Sequence, residues 1–342
     1  MLAPVIWAEL PVLPARELVP LPRPGVGDRR GRGRMGAADL RCTLYRPRRR
    51  CCRDQPHQAR HRHCAAFTRS PLETACSAID LDRISDGRAV LGLGSSAQSQ
   101  IEGSFGMPYG KPLAHMREVV RQVHAVIANG QGGELGRLEG EYHTLDLTHF
   151  RLVAPAVRPA IPIYLPAVFE KACTQAGAIA EGLLGHPLWT TGWLRDKVGP
   201  ALRQGRSDAG RVRGDSDVNL MIFTVINDNR AEAIADARAN IAFYTQSPQY
   251  LRYFEEIGFG AEAHTIQAAF AVQDSAAMAS ACPDEMVTAI TILGSADAVR
   301  EQIAERAEFA DSITPVVPQF GVELARAAHY RQRIANVFYG IE

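Results

Sequence analysis

Up to residue 66, no window of the chain keeps a helical or strand period for five residues. From Phe67 onward, apolar and polar positions recur in a regular order. In residues 71–84, Leu72, Ala75, Ala78, Ile79 and Leu81 make one apolar stripe, which predicts a helix with a single buried face. Asp86-Gly87 ends it. Ala89-Val90-Leu91-Gly92-Leu93-Gly94 then reads as a short apolar strand running into glycines, the mark of a buried parallel strand whose end approaches a ligand. Met116, Val119, Val120, Val123 and Ile127 predict a helix over 113–129. Further strands are expected at 161–165, 183–185, 217–226 and 312–317. Helices are expected through Gly177 and Ala180, and over 193–204, 228–243, 249–258, 265–271, 282–293 and 297–309. The 228–243 helix opens on an Asp-Asn-Arg-Ala-Glu cap. Alternation of this kind over roughly 250 residues implies an α/β fold with a parallel sheet, closed as a barrel or open and doubly wound.

Composition changes this picture mainly at the N-terminus. The whole chain carries a net charge of +1, but residues 1–66 hold fourteen Arg against five acidic residues, and the remainder is correspondingly acidic. An arginine-rich arm suggests a nucleic-acid partner. Against that, the chain has 35 Arg and only three Lys (Lys111, Lys171, Lys197), a bias that GC-rich coding produces by itself, and the arm has few aromatics. Nucleic acid is therefore not an expected partner. No apolar run reaches the ~18 residues of a membrane helix, and the start lacks the basic region of a secretory signal, so the expected location is cytoplasmic. Cys42, Cys51, Cys52 and Cys64 lie near His57, His61 and His63, yet no Cys-x-x-Cys spacing occurs and no metal is expected. Cys76, Cys173 and Cys282 read as core residues, and His115 and His124 as surface residues of the 113–129 helix.

The choice of fold rests on motifs. Ile84-Ser85-Asp86-Gly87-Arg88, followed by the 89–94 strand and Ser95-Ser96, resembles the helix–turn–strand signature of luciferase-like oxidoreductases. Glu102-Gly103, the segment Phe105-Gly106-Met107-Pro108-Tyr109-Gly110-Lys111-Pro112, and Met116-Arg117-Glu118 continue the match. So do Pro162-Ile163-Tyr164-Leu165, Ala180-Glu181-Gly182-Leu183-Leu184-Gly185-His186-Pro187, Pro283-Asp284-Glu285-Met286-Val287 and Gly294-Ser295. The resemblance covers about residues 67–318 and is nearest to the subgroup that uses the deazaflavin coenzyme F420. It implies a bacterial-luciferase-like (β/α)8 TIM barrel, with F420, or alternatively FMN, serving hydride transfer to or monooxygenation of a small organic substrate.

A barrel binds its ligand at the C-terminal ends of its strands. Gly92, Gly94, Ser95 and Ser96 stand at such an end, where missing side chains admit a planar ring and Ser95, Ser96 and Gln98 offer hydrogen bonds. The plainer reading is a glycine turn leaving a strand. A second site is implied at Ala167, Val168 and Phe169, where the family holds the cofactor phosphate on a helix N-terminus. Here Phe169 replaces a small residue, Glu170 brings an opposing charge, and Glu181 stands where the family has Asp. His186, at the end of the 183–185 strand, is the candidate acid/base residue, with a loop histidine satisfied by backbone as the alternative. Trp189 and Trp193 follow it, one lining a pocket or both packing a helix.

The family fold needs three strands before Phe67, and residues 1–66 show none. The chain accordingly divides into an aperiodic segment, 1–66, and a barrel domain, 67–342, incomplete at its first strands and with the 89–94 strand open on one edge. Moved one nucleotide forward, the codons of residues 54–64 permit Ile-Asn-Arg-Ile-Arg-Leu-Gly-Thr-Gly-Ile-Ala, which alternates like a strand. The alternative to an active oxidoreductase is thus a catalytically impaired product of a frameshifted gene. The expected partner is a small-molecule substrate, with a homodimer open and no membrane.

Overall fold

The computed structural model describes residues 13–14, 59–60, 64–154 and 156–340. The readings of the other residues before Cys64, including the cysteine and histidine cluster, the missing first strands and the shifted frame, lie outside the described residues. The described residues form two compact units, one of 59–60, 64–154, 156–184 and 201–216, the other of 13–14, 185–200 and 217–340. The described chain opens with the two-residue strand β1 (Leu13–Pro14), antiparallel to Ser312 and Ile313 of the second of these units.

The first of these units is a parallel sheet with helices. Strands β2 (Ala59–Arg60) and β3 (Cys64–Ala65) lead through a one-turn helix at Ala66–Thr68 to helix α1 (Pro71–Ile84). Ser70 starts α1 by accepting the Glu73 amide at 3.1 Å, with Pro71 at the first helical position. Asp86 and Gly87, both at positive φ, turn the chain into strand β4 (Ala89–Gly94), every residue of which is buried. Then come α2 (Gln98–Gly103), α3 (Pro112–Asn129), the antiparallel hairpin β5 (Gly136–Leu138) and β6 (Leu145–Leu147), β7 (Ile163–Pro166), α4 (Glu170–Ile179) and β8 (Gly182–Gly185).

The sheet register is set by Leu91 opposite Ile163, Gly92 opposite Tyr164, and Pro166 opposite Leu184, all parallel. On the other edge of β4, Ala59 and Arg60 pair with Ala89 and Val90, and Cys64 and Ala65 with Leu93 and Gly94. This corrects the expectation of an open edge. Strand pairing is made by backbone groups, which every residue carries, so the absence of a side-chain alternation before Phe67 did not exclude it.

After β8 come α5 (Thr191–Trp193), a π-turn at Leu194–Val198 and α6 (Gly199–Asp208), where pattern alone predicts one helix over 193–204. The later part of α6 packs on α4 through two glycines. A β-carbon at Gly177 would lie 2.5 Å from the Leu202 carbonyl, and one at Gly205 would overlap the Thr174 carbonyl.

The unit that holds residues 217–342 is built on β9 (Asp217–Ile226), whose ends match the expected strand. Helices α7 (Arg230–Thr245), α8 (Leu251–Glu256), α9 (Gly260–Ala271), α10 (Ser275–Ser280) and α11 (Asp284–Ile290) lead to β10 (Ile292–Gly294), α12 (Ala296–Ala307), β11 (Ser312–Val316) and α13 (Leu324–Tyr339). β10 and β11 both run parallel to β9. The helix expected over 282–293 therefore stops at Ile290, with Thr291 already extended. Met286, Val287, Ile290 and Leu293 fall on one helical stripe, so the apolar period runs through the break unmarked. Arg326 of α13 pairs with Glu232 and Asp236 of α7, at 2.7 and 2.8 Å, and the Tyr330 hydroxyl donates to Asp236. Among the described residues no helix is long and apolar enough to cross a membrane.

Candidate active site

Because β3, β4, β7 and β8 are parallel, their C-terminal ends lie at one end of the sheet. Gly92 and Gly94 are buried there, and Ser95 and Ser96 are half-buried just beyond the strand. The neighbouring strand brings Ala167, whose amide donates to the Leu184 carbonyl at 3.4 Å and carries the β7–β8 pairing one residue past Pro166. Val168 and Phe169 follow, half-buried, and Phe169 starts α4 without a side-chain cap. The structure therefore brings the two glycines, Ser95 and the 167–169 turn to the same end of adjacent strands. Gln98 stands apart. It is exposed on α2, and its amide donates to Glu102 one turn on, at 3.1 Å.

Ser96 has φ of +57°, the left-handed region that costs a non-glycine residue energy unless its surroundings hold it. Two contacts do so. Its hydroxyl donates to Gln100 at 2.6 Å, and its carbonyl accepts from the Tyr109 hydroxyl at 3.1 Å. Tyr109 and Cys64, whose thiol donates to the Gly92 carbonyl at 3.5 Å, are neighbours of this end that the sequence did not assign to it. Tyr109 lies in the quoted 105–112 segment, but nothing in a linear pattern shows where its hydroxyl goes.

His115 corrects the reading of it as a surface residue. It is 2 % exposed and lies flat between the rings of Phe67, 3.8 Å away, and Tyr142, 4.1 Å away. Its Nδ1 meets the Tyr109 carbonyl at 3.2 Å and its Nε2 meets Nε2 of His143 at 2.9 Å. Position 115 falls in the first turn of α3, where the following loop covers it, so a polar side chain next to Met116 is enclosed by other polar partners. His124 is half-buried, with Nε2 3.3 Å from Glu181. Cys173 and Cys282 are core residues as expected, whereas Cys76 is only partly buried.

Glu181 accepts the Ile163 amide at 2.9 Å and lies 3.9 Å from Arg211. Burial works to raise its pKa, but the His124 and Ile163 hydrogen bonds and Arg211 outweigh it and hold the carboxyl below the usual range. Glu181 thus anchors the start of β7, away from the strand ends.

His186 directly follows β8 and belongs to the unit that contains residues 217–342. Its Nδ1 accepts the Leu188 amide at 3.4 Å, which leaves the ring proton of the neutral form on Nε2, 3.1 Å from the Tyr250 hydroxyl. Burial pushes the Tyr250 phenol up, so it stays protonated and neutral. Trp193 packs edge-on against Tyr253, 4.9 Å between centroids, and Trp189 is buried. Among the described residues no group of three or more His, Cys, Asp or Glu is gathered as a metal ion would need.

A parallel sheet of alternating strands and helices, with glycines and hydroxyls at the C-terminal strand ends, defines an α/β fold with its ligand-binding end there. The luciferase-like monooxygenase family matches residues 63–312, and the chain belongs to it. An uncharacterized protein of Mycobacterium tuberculosis (strain ATCC 25618 / H37Rv) is 31% identical over 268 residues, 77% of this chain and 79% of that one. Among solved structures, the coenzyme F420 dependent tetrahydromethanopterin reductase from Methanopyrus kandleri aligns with a TM-score of 0.66 at 23% identity, covering 82% of each chain. The oxygenating constituent of 3,6-diketocamphane monooxygenase from Pseudomonas putida, in complex with FMN, aligns with a TM-score of 0.54 at 15% identity, covering 83% of this chain and 79% of that one. The fold is the α/β bacterial-luciferase-like TIM barrel, and the chain is at this level a luciferase-like oxidoreductase or monooxygenase.

Proposed function

We propose that the chain holds coenzyme F420 at the C-terminal ends of β4 and β7 and uses it on a small organic substrate. The observation that carries this reading is the pair of buried glycines, Gly92 and Gly94, with half-buried Ser95 and Ser96 at the end of the same strand. A planar ring needs such a side-chain-free backbone with hydrogen-bonding groups at its margin. The similarity to a reductase named for F420 supports the choice of group. When bound, the deazaflavin supplies a hydride. Gly92 and Gly94 would give its ring room against the backbone and Ser95 and Ser96 would hold its polar edge, with the Ser96 hydroxyl turning from Gln100, and Gln98 from Glu102, to do so. Ala167, Val168 and Phe169 would bring the first amides of α4 toward its phosphate. Glu170, the first residue of α4, opposes that anion, and weak phosphate binding is the expected consequence. His186, in the unit that contains residues 217–342, carries the proton of its neutral form on Nε2 and is a separate acid/base candidate there.

Titration of the purified chain with F420 and with FMN tests this. F420 should bind, and Gly92→Leu should weaken it at least about tenfold, roughly 1.4 kcal/mol, while leaving the fold intact by circular dichroism. Unchanged affinity in that variant would remove the site. Binding of FMN and not F420 would favour the monooxygenase reading, which the similarity to an FMN-bound oxygenase supports.

A further inference from the structure

The cluster around His115 and His143 is the strongest feature that the proposed chemistry does not use. A backbone carbonyl can only accept, so the Tyr109 carbonyl fixes the proton of His115 on Nδ1. Nε2 of neutral His115 is then a lone pair, and His143 must donate its own Nε2 proton across the 2.9 Å contact. With both rings neutral, each has a defined tautomer. His143 is fixed on both sides of its backbone: its amide donates to Glu118 at 2.6 Å and its carbonyl accepts from Gln122 at 2.7 Å. The hydrogen bonds therefore run in series from α3 and the 139–143 loop through His143, His115 and Tyr109 to the carbonyl of Ser96.

We propose that His115 and His143 are positioning residues that hold Tyr109, and through it the left-handed turn at Ser96, and that acid releases this clasp. The proposal deepens the cofactor reading above, because Ser96 is one of the residues assigned to the cofactor. A first added proton is tolerated, since it can settle on Nδ1 of His143 and leave the shared hydrogen bond in place. A second puts two N–H groups face to face at 2.9 Å, and the contact opens.

The surroundings favour the neutral pair. Burial lowers the pKa of His115, against the pull of the Tyr109 carbonyl and the Glu118 charge. Burial and the neighbouring His115 lower that of His143, again against Glu118. Glu118 on α3 is the carboxylate that bears on both rings, and it is already committed to the amides of Glu141, Tyr142 and His143. The one-turn helix contributes the apolar Phe67, with Arg69 beyond it. The 105–112 segment contributes the Tyr109 phenol and, further on, Lys111. The 139–143 loop contributes the Tyr142 phenol, with Glu139 and Glu141 outside.

Hydrogen exchange of the 95–110 segment in the cofactor-free chain, corrected for intrinsic rates at pH 7.5 and 5.0, reads the clasp directly. Protection in the wild type should fall about tenfold or more on acidification. His143→Gln should hold protection to within about twofold, because an amide can donate to neutral His115 or accept from its charged form. Tyr109→Phe, which cuts the link without touching either histidine, should give low protection at both pH values. A His143→Gln variant that loses protection as the wild type does, or a Tyr109→Phe variant as protected as the wild type at pH 7.5, overturns the proposal. Nitrogen-15 spectra of the wild-type imidazoles provide a check that needs no variant: at pH 7.5 both rings must be neutral with His115 protonated on Nδ1, and a charged ring there would also overturn it. F420 titration at both pH values separates the two readings. Failure to bind at either pH ends the cofactor assignment and leaves the exchange result standing.

Discussion

Asp82 sits at the last turn of α1 with 1 % of its surface exposed, and it gathers three donors: two from the Arg158 guanidinium, at 2.8 and 3.0 Å, and the Ala89 amide at 3.1 Å. Arg158 also donates to the Ala89 carbonyl. One carboxylate thus fixes the end of a helix, the start of β4 and the approach to β7. Its removal leaves a partly buried guanidinium and a buried amide without their acceptor. Asp82→Ala should lower unfolding stability by about 3 kcal/mol or more, read from urea denaturation. Asp82→Asn, which keeps one acceptor oxygen, should cost less. A change under about 0.5 kcal/mol in Asp82→Ala would show that the cluster is dispensable.

At the scale of elements, Glu181 joins three of them, through the Ile163 amide at the start of β7, His124 on α3 and Arg211 beyond α6. Its carboxyl is held below the ordinary glutamate value of 4.5. The unfolded chain therefore takes up the proton first on acidification. The stabilisation is fully present above the ordinary value and is lost as pH falls through the lower, folded one. Acid unfolding followed by circular dichroism should show the wild type more stable than Glu181→Gln at pH 6, with the gap closing toward pH 3. A gap that stays constant over that range would show that the glutamate charge plays no part.

For the molecule as a whole, what could be read in advance depended on how many residues carried each signal. The bounds of α1, β4 and β9 agree with the sequence reading at both ends, because each is a long apolar stripe or run closed by a turn or cap. Helix α13 escaped it. Its buried residues Ala327, Tyr330, Ile334, Phe338 and Tyr339 recur at helical spacing, but Arg326, Arg331 and Arg333 stand among them and dilute the apolar signal. The glycines of β4 were legible as a ligand approach because their meaning is local. The His115–His143 contact was not, since it joins positions 28 residues apart across a loop without period. The same reasoning bears on the N-terminal edge, where β2 and β3 give β4 two short pairings and where pattern alone predicted none. A chain with codons 54–64 in the alternate frame would offer that edge a continuous alternating strand. Its melting temperature should rise by several degrees, of the order that ~1–2 kcal/mol produces in a chain of this size. Equal melting temperatures would show that the existing segment already serves the edge fully.

Gly140 has a consequence outside the laboratory. A β-carbon there would overlap the Glu118 carboxylate, the group that receives the amides of three successive residues. No side chain at 140 can coexist with that carboxylate in its present place. Selection on position 140 is therefore tied to what stands at 118. Lineages that lose the glycine should have lost or moved the glutamate with it, whereas the glycine itself can outlast the glutamate.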